Sequence, residues 1–161
     1  MTKDLSNHYY RQLRDLYSVE LQIISLIPEL GSQSGSGRFS SLVDEARTRR
    51  DVLEMIAADH DISSAGDDCT TMRTLGRQAR ASLAECDDDQ ACREQVAAAA
   101  CERIRRHTHS GYKVISLLAE QLDLPVDAAR LRKVLNQSFS VVEFPAPARS
   151  NRSSRQQLLS A

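Results

Sequence analysis

Apolar residues recur every three or four positions through the first part of the chain. Between Asp4 and Ile27 they stand at Leu5, Tyr9, Leu13, Leu16, Ile23 and Ile27. This spacing places them on one face and predicts an amphipathic helix over residues 4–27. Pro28 and the glycine- and serine-rich run over 31–37 predict the end of this helix, because these residues favour turns.

The same period predicts four further helices and, with them, an all-α fold. They are expected over about residues 39–58, 70–85, 90–122 and 125–144. Pro125 suits the first turn of the last helix, whose stripe includes Phe139 and Val142, and Pro145 ends it. Short connections favour an antiparallel bundle over residues 1–144. Residues 145–161 carry arginines but no acid, which predicts a flexible, disordered basic tail.

The length of the chain and its net charge exclude several classes of function. The 161 residues suit a single domain, and a net charge of −1 provides no general attraction to nucleic acid or to an anionic membrane. No apolar run approaches the roughly 18 residues of a membrane span. The first residues lack a secretory signal, so a cytoplasmic location is the default expectation.

Each of three apolar stripes is interrupted by a polar residue that should still point inward. The interrupting residues are Glu20 in the first helix, Arg49 or Arg50 in the second and His107 in the fourth. A buried carboxylate without a partner costs several kcal/mol. These side chains are therefore expected to meet one another, a metal ion or water.

Two interpretations of the inward polar residues remain open. In ferritin-like bundles, glutamates and Glu-x-x-His motifs hold two metal ions, but no Glu-x-x-His occurs here. An arginine cannot ligate a metal, so its guanidinium is the expected cation beside Glu20. The alternative is an iron or manganese site built from four residues, namely Glu20, Glu45, Glu102 and His107.

Several motifs carry a family resemblance over roughly residues 4–140. The segments LRDLYSVE over 13–20 and LIPEL over 26–30 resemble the opening DLY-x-AE-x-Q…LP-x-L of the YciF-like bacterial stress proteins. Further matches are Phe39 with the acidic pair at 44–45, the loop 69–72, and Tyr112 followed by LAEQL over 118–122. The resemblance implies a ferritin-like up-down four-helix bundle with an additional helix, usually dimeric.

The resemblance also implies that most of the family's metal site is missing. Its first glutamate corresponds to Glu20, and its second acid to Asp44 or Glu45, but the His or Gln partner of that acid falls on Arg47 or Arg49. The remaining acids fall on Arg105, Thr108 and the neighbourhood of Gln137 and Ser138. This register points Arg105 and Thr108 inward, whereas the apolar period points His107 inward.

The four cysteines contain no Cys-x-x-Cys motif and therefore indicate no zinc site. Cys86 and Cys92 flank a short acidic break between two helices, within reach of the roughly 4.4 to 6.8 Å between α-carbons that a disulfide needs. Reduced thiols at all four positions are the alternative, and a cytoplasmic location favours them.

These observations lead to two functional hypotheses. The first is a non-enzymatic, stress-associated or protein-interaction bundle with a decayed di-metal site and no cofactor, present as a homodimer. The second is a di-iron or manganese protein that performs oxidative or peroxide-consuming chemistry. Bound metal distinguishes the two.

Overall fold

A computed structural model describes residues 2–139, and these residues form five α-helices and one short 3-10 helix. The α-helices are α1 (Thr2–Ser34), α2 (Ser40–Asp59), α3 (Thr70–Ala84), α4 (Gln90–Gln121) and α5 (Pro125–Gln137), and Gly37–Phe39 is the 3-10 turn. The described residues contain no strand, which confirms the all-α prediction. The expected tail over 145–161 lies outside the described residues.

The helices form a four-helix bundle with one helix added at the side. α1 packs against α2 and α4, and α5 packs against α4 and α2. α3 is the additional helix and lies against α1 and α4. No helix within residues 2–139 combines the length and apolar character needed to cross a membrane.

The first helix is longer than the sequence predicts. α1 continues through Pro28 to Ser34, so the predicted end at Ile27 is wrong. A proline inside a helix costs about 3 kcal/mol through a lost hydrogen bond and a clash. Burial of the next turns offsets this cost, since Leu30 and Ser34 are both fully buried. The helix ends instead at Gly35, which adopts a positive φ of 66° that favours glycine.

The fifth helix is shorter than predicted. α5 ends at Gln137, and the described residues Ser138 and Phe139 are not helical. The carbonyl of Ser138 turns inward and accepts a hydrogen bond from Arg49 Nη1 at 3.0 Å. The Ser138 carbonyl therefore has a hydrogen-bond partner outside the α5 helix. The remainder of the predicted stripe, including Val142, lies outside the described residues.

The core consists of two apolar clusters. One contains Ile23, Ile27 and Ile104 and lies toward α3, and the other contains Leu13, Leu53 and Leu131 and lies toward α5. Buried polar residues lie where the two clusters meet. They are Ser18 and Glu20 in α1, Arg49 in α2 and Thr108 in α4.

The cysteines fall into a bonded pair and two free thiols. Cys86 and Cys92 join the end of α3 to the start of α4, with an S–S distance of 2.03 Å and a Cα–Cα distance of 5.6 Å. Cys69 and Cys101 are free and buried. Burial raises the pKa of the Cys101 thiol to about 12, so this thiol is protonated at neutral pH.

Candidate functional site at the centre of the bundle

A buried ion pair occupies the polar layer between the two apolar clusters. Arg49 Nε donates to Glu20 Oε1 at 2.7 Å, and Arg49 Nη2 donates to Glu20 Oε2 at 3.0 Å. The Glu20 side chain has no exposed area and that of Arg49 is 6% exposed. The two parallel bonds form the planar fork in which a guanidinium matches a carboxylate.

Arg49 connects three helices. Its Nη1 donates to the Ser138 carbonyl just after α5, and the same nitrogen lies 3.7 Å from Glu45 Oε2. The guanidinium carbon also lies 5.1 Å from the centre of the Phe139 ring, in cation–π range. The arginine therefore holds α1, α2 and the end of α5 together.

The electrostatics keep Arg49 charged. Burial disfavours the charge, but the Glu20 carboxylate outweighs burial and raises the pKa of Arg49. Tyr112 lies beside the pair and is fully buried, and burial raises its pKa well above the ordinary value, with the Glu20 charge adding to the shift. The phenol therefore remains neutral at pH 7.

The Tyr112 hydroxyl makes no hydrogen bond of normal geometry with the described residues. A cavity of about 20 Å³ adjoins Arg49 of the ion pair and is lined by Thr108 and Phe139 among others. Such a volume suffices for one water molecule.

The candidate metal ligands other than Glu20 are engaged elsewhere. Glu102 receives hydrogen bonds from Arg105 at 2.7 Å and Arg106 at 2.8 Å, and these contacts lower the pKa of Glu102 to about 2. Half-buried Glu45 lies at the edge of the ion pair. His107 faces Cys69 in the loop before α3, with Nε2 3.7 Å from the sulfur.

The register of α4 also differs from the apolar period. Thr108 is 1% exposed and occupies the core position that the period assigns to His107, so that expectation is wrong. The register implied by the family resemblance is correct at Thr108. In α2 the choice between two arginines is also decided, because Arg50 lies half-buried beside the exposed Asp51 and only Arg49 points inward.

The residues present do not fit a ferritin-like di-metal centre. Both oxygens of Glu20 accept hydrogen bonds from Arg49, and a guanidinium has no lone pair for a metal ion. Across residues 2–139, no group of three or more His, Cys, Asp or Glu side chains is arranged to hold an ion.

A second buried polar cluster was missed by the sequence reasoning. Asp127, near the start of α5, accepts a hydrogen bond from the Tyr9 hydroxyl at 2.8 Å and lies 2.6 Å from His60 Nε2. The Tyr10 hydroxyl lies 3.3 Å from His60 Nδ1. The sequence did contain a signal for a buried position at Asp127. This residue precedes Leu131 by four positions and so lies on the same apolar stripe of α5. The cluster joins the ends of α1, α2 and α5.

Comparison with known proteins identifies the family. The DUF892 domain, described as a domain of unknown function, matches residues 4–142. The chain belongs to the DUF892 family. No curated protein matches this DUF892 chain significantly.

A solved structure supports the fold of the DUF892 chain. The crystal structure of the E. coli stress protein YciF aligns with a TM-score of 0.75 and 19% sequence identity, covering 83% of this chain and 87% of that one. This similarity confirms the helical-bundle fold.

Proposed function

We propose that this protein is a non-enzymatic, stress-associated bundle in which an ion pair takes the place of a di-metal centre. The observation that supports this proposal is the pair of hydrogen bonds that Arg49 donates to Glu20 in the buried layer. An arginine is permanently charged, so it neutralises the carboxylate as a metal would. It does not activate oxygen or peroxide.

The stress association rests on the likeness to YciF, which is described as a stress protein. We propose that the present chain also functions under stress. It acts through its surface, as a cytoplasmic homodimer that binds a protein partner. A bundle cross-linked internally by Arg49 offers a rigid scaffold for such contacts. The arrangement of the core thus supports a binding role over a catalytic one.

Metal content tests the proposal directly. The protein is expressed in medium supplemented with iron and manganese, purified without chelators, and analysed for metals before and after anaerobic incubation with Fe(II). We expect far less than one ion per chain and no consumption of hydrogen peroxide above the rate of free metal.

Variants separate a specific site from incidental metal. The iron or manganese hypothesis requires about two ions per chain, lost in both Glu20→Ala and Glu102→Gln. In the described structure Glu102 forms ion pairs only with Arg105 and Arg106. We therefore expect the Glu102→Gln variant to have the same metal content as the wild type. Stoichiometric metal that depends on both residues would overturn the proposal.

A further inference from the structure

The seam between α1 and α3 contains two neighbouring cavities. The first has a volume of about 120 Å³ and is lined by Gln22, Arg73 and Arg80 among others. The second has a volume of about 280 Å³ and is lined by Gln33, Arg80 and Arg93 among others. Because Arg80 lines both cavities, they lie next to each other, and we call the two together the α1–α3 groove.

Arginines determine the charge of this groove. Arg73, Arg77 and Arg80 are spaced by four and then three residues, which places them on one side of α3. Helix α3 itself contains no Asp or Glu. Of the described residues that line the two cavities, Glu29 is the one acid. The groove therefore carries a net positive charge, although the net charge of the whole chain is −1.

The present partners of these arginines leave their charge accessible to a ligand. Arg77 is exposed and donates to the neutral hydroxyl of Thr74 at 3.2 Å. Arg80 pairs with Glu29 and Arg73 pairs with Asp68, but the two arginine side chains are 47% and 57% exposed. Exposed ion pairs contribute little to stability. The carboxylates of a ligand can therefore share or replace these contacts.

A glycine in the middle of α3 leaves space in the first cavity. Gly76 lines this cavity, and glycine is less favourable than alanine inside a helix. A Cβ at this position would lie 3.4 Å from Leu26 Cδ2 and 3.5 Å from Arg80 Nη1, which are ordinary contact distances. Packing against α1 therefore does not require the glycine. Its missing side chain enlarges the space between two other residues of the cavity wall.

Exposed acids limit the positive stretch at both ends of α3. Asp67 and Asp68 precede the helix, and Glu85 and the aspartates at 87–89 follow it. The 15 residues of α3 span about 22 Å. A nucleic acid strand that continued past either end would bring its phosphates close to these acids. An extended peptide of about six residues fits within the stretch.

We infer that the α1–α3 groove binds a short acidic segment of a partner protein. Carboxylates of that segment face Arg73, Arg77 and Arg80. A guanidinium binds a carboxylate through two parallel hydrogen bonds, as Arg80 does with Glu29 at 2.8 and 2.7 Å. The inference rests on the proposed function, because it names the surface and the chemistry of the protein partner proposed there.

Fluorescence anisotropy with an acidic probe tests the inference. The probe is a fluorescein-labelled hexaglutamate peptide with blocked ends, and a hexaglutamine peptide is the uncharged control. Full-length wild type is compared with Arg73→Glu/Arg77→Glu, and Arg80 stays unchanged because it pairs with Glu29 across the seam. We expect saturable binding of hexaglutamate that weakens as salt increases, and no binding of hexaglutamine. The dissociation constant should rise at least tenfold in the variant, because like charges then face each other.

A second double variant controls for the change in total charge. Arg132→Glu/Lys133→Glu alters the net charge by the same amount, and both residues are exposed on α5. α5 packs against α4 and α2, away from the groove. This variant should bind hexaglutamate within twofold of the wild type. All four substituted positions are exposed, so circular dichroism melting should show folded protein in both variants.

The outcomes separate this inference from the proposed function. Absence of hexaglutamate binding, or equal weakening by the α5 variant, overturns the inference. Tighter binding of a six-nucleotide oligothymidylate that is lost in Arg73→Glu/Arg77→Glu assigns the groove to nucleic acid and also overturns it. In each case the proposed function still stands if the protein lacks metal. Stoichiometric metal overturns the proposed function whether or not the groove binds the peptide.

Discussion

Replacing Arg49 by methionine is expected to destabilise the fold by about 3 to 5 kcal/mol, because the buried carboxylate of Glu20 loses its counter-ion. The change removes bonds of 2.7 and 3.0 Å to the carboxylate and one of 3.0 Å to the Ser138 carbonyl. Hydrogen bonds to charged groups contribute about 1.5 kcal/mol or more each, which agrees with that range. In a domain of this size, the melting temperature should fall by about 10 °C.

Two further variants isolate the unpaired charge as the cause. Glu20→Leu with Arg49→Met replaces both partners by apolar side chains of similar size and should recover most of the lost stability. Arg50→Met is the matched control, because Arg50 pairs at the surface with the exposed Asp51. Its effect should stay within about 0.5 kcal/mol, as exposed pairs contribute little.

The pH dependence of Arg49→Met provides a second readout. Burial raises the pKa of Glu20, and Arg49 opposes that rise, so removing Arg49 should raise the pKa further. A carboxyl whose pKa is higher in the folded state contributes its stability fully below the unfolded pKa and loses it as pH increases. Urea denaturation should show the smallest deficit near pH 4 and the largest near pH 7.

Three results would refute this reasoning. A deficit for Arg49→Met below 1 kcal/mol at pH 7 would mean that the ion pair contributes little. A deficit that does not change with pH would mean that Glu20 is not the stranded group. A double variant no more stable than the single one would place the loss in packing rather than in charge.

Other predictions concern contacts away from this layer. Replacing Cys86 and Cys92 by serine should lower the free energy of unfolding by about 2 kcal/mol, and non-reducing peptide mapping should show the bond in the oxidised wild type. Asp127→Asn should cost about 1 to 3 kcal/mol in urea denaturation, since its carboxylate accepts a bond from a buried tyrosine and contacts a histidine. Gly111→Ala should cost about 1 to 3 kcal/mol in thermal melting, because the new Cβ would lie 2.6 Å from Leu16 Cδ2.

The sequence determined the helices and the inward position of Glu20, because both follow from local periodicity. Apolar spacing located α2, α3 and α4 to within one or two residues at their ends. The gap in the first stripe at Glu20 correctly marked a buried carboxylate. The missing Glu-x-x-His and the arginines of the second helix already favoured a cation from the protein over a metal ion.

Only the tertiary structure decided how those residues pair and where two helices end. Neighbouring arginines at 49 and 50 differ by about 100° around a helix, and packing of α2 against α1 selects the inward one. α1 passes through Pro28 because the next turns are buried. The contacts of Asp127 with Tyr9 and His60 join residues more than 60 positions apart. A local sequence pattern cannot indicate such partners, because the residues come together only in the folded chain.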